Sequence, residues 1–491
     1  MLLTKLIDND INLYRSKGKS VKVSGISSNS KKIKKGMIFA AVNGYKERGI
    51  SYIEEVFAKG ISTVLCEEPD VKKIQKETTN ILVSKDVRKA VGIIAKKFYP
   101  KQPKNIIAVT GTNGKTSIVY FLRKIWNKNN IKGASIGTLG IQYENKIKRT
   151  NLTTLDPISL HEELNHLKDN NIDFLAIEAS SHALAQQRLD EVDIKFAVFT
   201  NLSRDHLDFH KNMNNYFLAK TRLFEFVLSK KGTAIINLDS KFGKKLKEIC
   251  DRKKIKNYTY GHDIFCDWRI LDITNKKKVT EVIFKKEKIK FKFQCSLFAD
   301  FEIDNLLCAI ILANLNGIKL NNIFDNIKII KPPEGRLNQV KLYKKYFSIF
   351  IDYAHTPEAL QNSLLALKNK YSQAGKLFVL FGCGGGRDKG KRKLMGAVAA
   401  KLADEVFITD DNPRHECAEN IRLEIISNFK HFKNIAGRKK AIYKSISLLK
   451  DGDVLLIAGK GHEKTQEIRG KKIFFDDKKI VKEAMLIRQK L

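Results

Sequence analysis

Short apolar runs recur along the chain, each ending in a polar or glycine-containing cluster, with room for one helix before the next run. "GMIFAAVNG", "STVLCEE" and "NILVS" are strand-like segments of a first stretch, residues 1–102, which closes at the proline-bearing linker "FYPKQPKN". From 103 the alternation becomes regular. "NIIAVTGTNGKTSIVYFLRKIW" reads as a strand, a glycine loop and an amphipathic helix, and "DFLAIEAS", "FAVFTNLS" and "GTAIINLD" repeat the strand-then-polar pattern. Strands separated by helices predict an α/β domain with a mainly parallel sheet, whose ligands sit beyond the carboxyl ends of the strands. "KPPEGRLNQV" marks a second boundary near 334. Beyond it "FSIFIDYA", "LFVLFGCGGG", "EVFITDDN" and "DVLLIAGKGH" predict a smaller doubly wound domain over 335–491. The expected architecture is therefore three α/β domains: a small N-terminal one, a central P-loop one with a parallel sheet, and a C-terminal Rossmann-like one.

Length supports this division, because 491 residues exceed what one hydrophobic core serves. No apolar run reaches the roughly 18 residues of a membrane span, and "MLLTKLIDNDINLYRSKGKS" lacks the form of a secretory signal, so a cytoplasmic protein without membrane attachment is expected. The seven cysteines are scattered singly, without a C-x-x-C pair, and read as buried reduced thiols. A net charge of +38 raises the question of nucleic acid. The lysines, however, are spread over the chain without aromatic interleaving or a basic tail. That distribution suits an attraction for small anionic substrates better.

The sharpest local signal is "GTNGKTS", residues 111–117, between a strand and a helix. Backbone N–H groups of Gly111, Thr112, Asn113 and Gly114 at a helix N-terminus cradle phosphate oxygens. Lys115 reaches the β- and γ-phosphates, and the hydroxyls of Thr116 and Ser117 lie beside them, Thr116 being suited to Mg²⁺. The spacing is shorter than the usual G-x-x-x-x-G-K-[ST]. A plain glycine turn would not account for Lys and Thr directly after the last glycine, so ATP binding is expected.

"VTGTNGKT", "EASSHALAQQR", "TNLSRDHLDFH", "DYAHTPEAL", "GGGRDKGKR", "DNPRHE" and "GKGHE" occur in that order. With them the chain resembles, over essentially its whole length, the Mur ligase family, cytoplasmic ATP-dependent amide ligases that build the peptide of the bacterial cell-wall precursor. The resemblance implies an ADP-forming reaction on UDP-N-acetylmuramoyl-L-Ala-D-Glu, in which the γ-carboxylate is phosphorylated to an acyl phosphate and then attacked by an amine. It implies a catalytic set of Lys115, Glu178, His206 and Lys220. Thr116 and Glu178 would ligate one Mg²⁺, and His206 and Lys220 a second. Lys220 would act as a carbamate formed with CO₂, since an ammonium repels a cation. Asn305 is implied near adenine, with Arg336 and Asp352 toward the phosphates and ribose. The sugar-peptide set is Ser30, Thr153, Thr154, Ser180, Gln186 and Arg188, with His355 nearby. The chain departs from the family's common "DSR" and "TTPDP", reading Asn29-Ser30-Lys31 and "TTLDP".

"ITDDNPRHE" then acquires a meaning. Family members that add meso-diaminopimelate resemble this chain in carrying D-N-P-R, and those that add L-lysine differ at the arginine. Diaminopimelate is in effect lysine with a second carboxylate, which a fixed guanidinium binds bidentately. The resemblance thus implies Asp411, Asn412, Pro413 and Arg414, with Arg387, Gly459 and Glu463, as the diaminopimelate site. Losing that contact gives discrimination on the order of 10²-fold. The alternatives are an L-lysine-adding ligase, a folylpolyglutamate synthase, which should lack "EASSH…DH" together with D-N-P-R, and a nucleic-acid-stimulated P-loop ATPase. The expected partners are small molecules, and the expected state is a monomer.

Overall fold

The computed structural model describes residues 1–18, 20–44, 47–276, 279–341, 346–371, 375–427, 429 and 431–488. The chain forms two compact units: Met1–Thr110, Ile131–Ala197 and Ala219–Thr233 make one, and Gly111–Asn130, Val198–Leu218 and Ala234–Leu491 the other.

In the first unit the three apolar runs of the N-terminal stretch are strands of a five-stranded sheet. Its order is Asn12–Arg15, Asn80–Val83, Thr63–Cys66, Met37–Ala40, Gly25–Ser27, with only the first strand antiparallel to its neighbour. Side chains alternate across this sheet, so Ile38, Ala40, Leu65 and Leu82 meet Val87, Ala90, Val91 and Ile94 of helix Val87–Phe98. Phe39, Val64, Cys66, Ile81 and Val83 meet Ile53 and Val56 of helix Ile53–Ala58 on the other face. A sheet covered on both faces needs strands apolar throughout, which is why these runs do not alternate. Strand Phe174–Glu178, in the same unit, lies parallel between Asn105–Thr110 and Gly133–Gly137. Gly140–Tyr143 and Lys146–Lys148 continue beyond Gly133–Gly137 as antiparallel strands.

In the second unit, helix Lys115–Lys128 packs against helix Asp300–Leu315. Strands Trp268–Asn275, Thr280–Lys286 and Ile289–Cys295 form an antiparallel meander that the expectation of a mainly parallel sheet did not include. Its period-two pattern explains it: Val282, Phe284, Phe293 and Cys295 are buried while their neighbours along the strands face outward.

The C-terminal part is a second sheet, ordered Asn338–Gln339, Ser348–Ile351, Val454–Ile457, Leu377–Phe381, Glu405–Ile408, Lys433–Asn434 and parallel except at the first strand. Helices Pro357–Lys370, Lys391–Leu402 and Ala418–Ile426 pack on one face, and Arg438–Ser447 and Asp477–Arg488 on the other. The doubly wound expectation holds. "DYAH", "GCGGGR", "TDDNPR" and "AGKGHE" each follow the carboxyl end of one of four adjacent strands, where ligands of such sheets bind.

All seven cysteines are free, and burial pushes the thiols of Cys66, Cys295, Cys308 and Cys383 up to about 12, which leaves them inert. Among the described residues no helix is long and apolar enough to cross a membrane.

Candidate active site

The phosphate loop is built from the end of one strand and the start of helix Lys115–Lys128. Gly114 has φ +88, and a β-carbon there would press on the side-chain oxygen of Asn305, so only glycine serves. Asn305 itself, 7% exposed on helix Asp300–Leu315, is thereby held against the loop. The loop is laced to residues 200–203. Asn113 N donates to Asn201 Oδ1 (2.9 Å), Thr112 N to the Asn201 carbonyl (3.0 Å), and Thr200 Oγ1 to the Asn113 carbonyl (2.6 Å). The Lys115 ammonium donates to the carbonyls of Gly111 and Thr112, both at 2.8 Å. Thr116 and Ser117 are buried in the first turn, and Thr116 Oγ1 accepts from Arg336 Nη2 at 3.0 Å. Arg336 lies over the Tyr353 ring, 4.3 Å from its centroid, and its Nη1 is buried with no hydrogen-bond partner among the described residues. A closed-off guanidinium nitrogen beside a phosphate loop is a donor that an anion would satisfy. Asp352 is turned toward its own loop, accepting from Leu337 N (3.2 Å), Tyr353 N (2.7 Å) and Ser363 Oγ.

Asp205 is a junction that the sequence reading missed. It accepts from His355 Nε2 (3.3 Å) and Lys391 Nζ (3.4 Å), with His206 Nε2 at 3.4 Å. Burial pushes its carboxyl up, but the His355 hydrogen bond and the charge of Lys391 prevail and hold it well below the usual carboxylate range. Arg204 reinforces the same link with two bonds to Asp388, at 2.9 and 3.0 Å. The signal was a density of charge within "NLSRDH" and "GGGRDKGKR". His206 has left-handed backbone, φ +55, before the short helix Leu207–His210. His355, expected beside the sugar-peptide, lies in this second unit and also contacts the Tyr353 carbonyl through Nδ1 at 2.9 Å.

In the first unit one hydrogen-bonded network joins most of the expected sugar-peptide residues. Arg188 donates to the Thr154 carbonyl (2.7 Å) and to Gln186 Oε1 through Nε (3.0 Å) and Nη2 (2.6 Å). Thr154 Oγ1 donates to the Glu178 carbonyl (2.6 Å) and accepts from Ser180 N (3.1 Å). The Glu178 carboxylate, 1% exposed, accepts from Thr138 N (2.8 Å) and Thr138 Oγ1 (3.1 Å), and Thr138 in turn meets Thr153 Oγ1 at 3.3 Å. Thr138 was not foreseen, although it follows strand Gly133–Gly137 as a polar strand-end residue. Ser30 stands apart from this network, donating to Glu55 Oε2 at 3.0 Å. Lys220, on helix Met213–Arg222, is 1% exposed, so it is no ordinary surface lysine.

The C-terminal loops explain "DDNPR" residue by residue. Asp410 pairs with Arg422 and accepts from Gly437 N (2.8 Å), and Asp411 accepts from Asn412 N (2.6 Å), so both carboxylates hold the turn. Pro413 is buried where its carbonyl faces Gly385. A β-carbon at Gly385 would collide with that carbonyl, and one at Gly384 would come within 2.9 Å of Arg414 Nη1, while Gly386 takes left-handed backbone, φ +62. Arg414 has left-handed backbone, φ +53, costing about 1 kcal/mol. Hydrogen bonds from Arg414 N to the Glu467 carbonyl (3.0 Å) and from Arg469 N to the Arg414 carbonyl hold it there. Its Nη1 donates to the Gly385 carbonyl (2.6 Å) and its Nε lies 3.3 Å from Glu467. Arg387 is exposed, its side chain without hydrogen bond or ion pair among the described residues. Gly459 and Glu463 come from the adjacent strand end, with Gly459 facing the Asp411 carboxylate.

His462, between them, has Nδ1 buried without a partner among the described residues. Burial and the nearby cations Arg336, Lys464 and Lys460 push it down to about 3, against about 6.5 in the unfolded chain. Its contribution to stability is complete above the unfolded value and is lost as pH falls below it. Burial pushes His161 down to about 4, with the same sign. His462→Gln is expected to recover about 2 kcal/mol at pH 5 relative to pH 7.5, halving the acid slope of a thermal-unfolding series.

Three sequence profiles match the chain: "Mur ligase family, catalytic domain" over residues 22–99, "Mur ligase middle domain" over 109–313, and "Mur ligase, glutamate ligase domain" over 335–461. The UDP-N-acetylmuramoyl-L-alanyl-D-glutamate--2,6-diaminopimelate ligase of Rickettsia conorii is 39% identical over 471 residues, covering 95% of this chain and 96% of that one. A solved UDP-N-acetylmuramoyl-L-alanyl-D-glutamate--2,6-diaminopimelate ligase is 31% identical with a TM-score of 0.69, covering 100% of this chain and 99% of the other. MurF ligase from Thermotoga maritima, solved in complex with ADP, shares the fold at 18% identity and a TM-score of 0.63 over 96% of this chain and 98% of its own.

Proposed function

Because the chain belongs to the Mur ligase family, we propose that it joins meso-2,6-diaminopimelate to the D-Glu γ-carboxylate of UDP-N-acetylmuramoyl-L-Ala-D-Glu, consuming ATP and forming ADP. Residues 1–102 take the uridine end of the substrate, 103–334 bind ATP, and 335–491 bind the amino acid. The γ-carboxylate attacks the γ-phosphate to give an acyl phosphate, and the amine then displaces phosphate through a tetrahedral intermediate. Both partners of the first step are anions, so the chain must position them and offset their charge.

Lys115 and Arg336 supply that charge at the phosphates, while the amides of residues 111–116 cradle the oxygens. Asn305 orients the adenine, and Asp352 fixes the strand end beside the ribose. Thr116 and Glu178 offer hard oxygen donors of the kind Mg²⁺ takes. His206 and a carbamylated Lys220 would each offer a donor for a second ion, and Mg²⁺ when bound would further neutralise the phosphates. Thr153, Thr154, Ser180, Gln186 and Arg188 hold the sugar-peptide, Ser30 the uracil end, and His355 with Asp205 orders the approach. Asp411, Asn412, Pro413, Arg414, Arg387, Gly459 and Glu463 receive diaminopimelate. The protein acts as a cytoplasmic monomer on small molecules in peptidoglycan precursor synthesis.

The observation that carries the choice of amino acid is the restrained Arg414, a guanidinium set in a strained turn whose neighbour Asn412 is hydrogen-bonded to the carboxylate of Glu463. A distal carboxylate and ammonium require that pairing of charges, and L-lysine does not. Phosphate release from ATP in the presence of Mg²⁺ and the UDP-dipeptide is expected to be faster with diaminopimelate than with L-lysine by on the order of 10²-fold. Equal release with both would refute the assignment.

A further inference from the structure

Lys460, the lysine of "GKGHE", is fully buried, yet no step of the reaction described above uses it. Its ammonium donates to Glu463 Oε2 at 2.9 Å and to Asn412 Oδ1 at 3.1 Å. Asn412 Nδ2 closes the triangle with Glu463 Oε2 at 3.0 Å. Asn412 Oδ1 also accepts from Glu467 N at 2.9 Å, so both of its lone pairs are committed and the amide cannot be turned round. Glu463 is thus pinned by one oxygen. Its other oxygen, Oε1, makes no hydrogen bond among the described residues, and the side chain is 30% exposed.

Resting on the functional reading above, we propose that Lys460 is a positioning residue. Through Asn412 and Glu463 Oε2 it fixes the direction in which Glu463 Oε1 meets the distal ammonium of diaminopimelate. A buried ammonium persists only when paired, and here both of its partners belong to the amino-acid site. Without it a partly exposed glutamate would sample several rotamers, and substrate binding would have to order them. Asn412 Oδ1, by the same geometry, has no capacity left for a ligand, so any contact of the Asn412 side chain with diaminopimelate is through its second Nδ2 hydrogen.

The test is a double-mutant cycle in the full chain with Lys460→Met, Glu463→Gln and both together. Phosphate release is followed while diaminopimelate, ATP and the UDP-dipeptide are varied in turn. Lys460→Met is expected to lower kcat/KM for diaminopimelate about 10–100-fold, chiefly through KM, with the KM for ATP within about twofold of the parent. In the Glu463→Gln background the same substitution is expected to have little further effect, because the group it acts through is gone. Fully multiplicative effects, or equal changes in the diaminopimelate and ATP constants, would overturn the proposal in favour of a role in folding alone. Should Lys460→Met not fold, Lys460→Gln keeps a donor without the charge and is judged by the same split between the two constants. Failure of the functional reading shows separately, in a parent enzyme that prefers another amine. The cycle measured with that amine would still decide the role of Lys460.

Discussion

Lys115→Ala is expected to lower kcat for phosphate release by on the order of 10³-fold, with a smaller rise in the KM for ATP. Part of the lysine's attraction already acts in the ground state, on the β- and γ-phosphates. The larger part acts when a second anion, the substrate carboxylate, closes on the γ-phosphate and the two repel each other. The ammonium is held by the carbonyls of Gly111 and Thr112, a position it can leave for phosphate at the cost of two neutral acceptors. Lys115→Arg should not restore the rate, because a planar fork cannot occupy the place of a compact ammonium beneath those carbonyls. Thermal unfolding reports whether the loop survives. A folded Lys115→Ala retaining more than about a tenth of the parent kcat would remove the phosphate loop from the mechanism.

The parts of this site legible in the sequence are those whose chemistry is local. "GTNGKT" needs only its own backbone and the first turn of a helix, and its glycines, lysine and threonine stand in one stretch. The apolar runs of the two parallel sheets were legible for a similar reason, since burial on both faces leaves a continuous signature. The antiparallel meander over 268–295 was passed over because strands with one wet face carry a weaker, alternating signal, here crowded with lysines. Thr138, Asp205, Lys460 and Glu467 were not singled out. Three of them acquire their roles from partners distant in sequence: Thr138 from Glu178, Asp205 from His355 and Lys391, and Glu467 from Arg414. Lys460 differs, since Glu463 is only three residues away, yet its other partner, Asn412, follows a different strand, Glu405–Ile408. The glycines of "GCGGGR" look like a flexible loop in sequence, but at Gly382 and Gly385 the backbone of "TDDNPR" comes too close for a β-carbon, and Gly386 has left-handed backbone, φ +62.

Arg414→Ala is expected to lower kcat/KM for diaminopimelate by on the order of 10²–10³-fold while leaving the low activity with L-lysine unchanged, so that selectivity collapses. The size follows from losing a two-pronged charge-assisted contact and stranding the distal carboxylate of the substrate. Arg414 also has structural work, donating to the Gly385 carbonyl and lying 3.3 Å from Glu467. The ion pair is about a quarter exposed on each side, so its loss should change stability by less than about 1 kcal/mol. Alanine keeps the left-handed backbone penalty that arginine already bears at this position, whereas glycine would relieve it and confound the comparison. Arg414→Lys separates charge from shape: it preserves the attraction but loses the fork, and its kcat/KM should fall between those of the parent and of Arg414→Ala. The deciding measurement is the ratio of kcat/KM for the two amino acids. A fall shared equally by diaminopimelate and L-lysine would make Arg414 a loop-holding residue and shift the recognition of the distal carboxylate to the exposed Arg387, one strand end away.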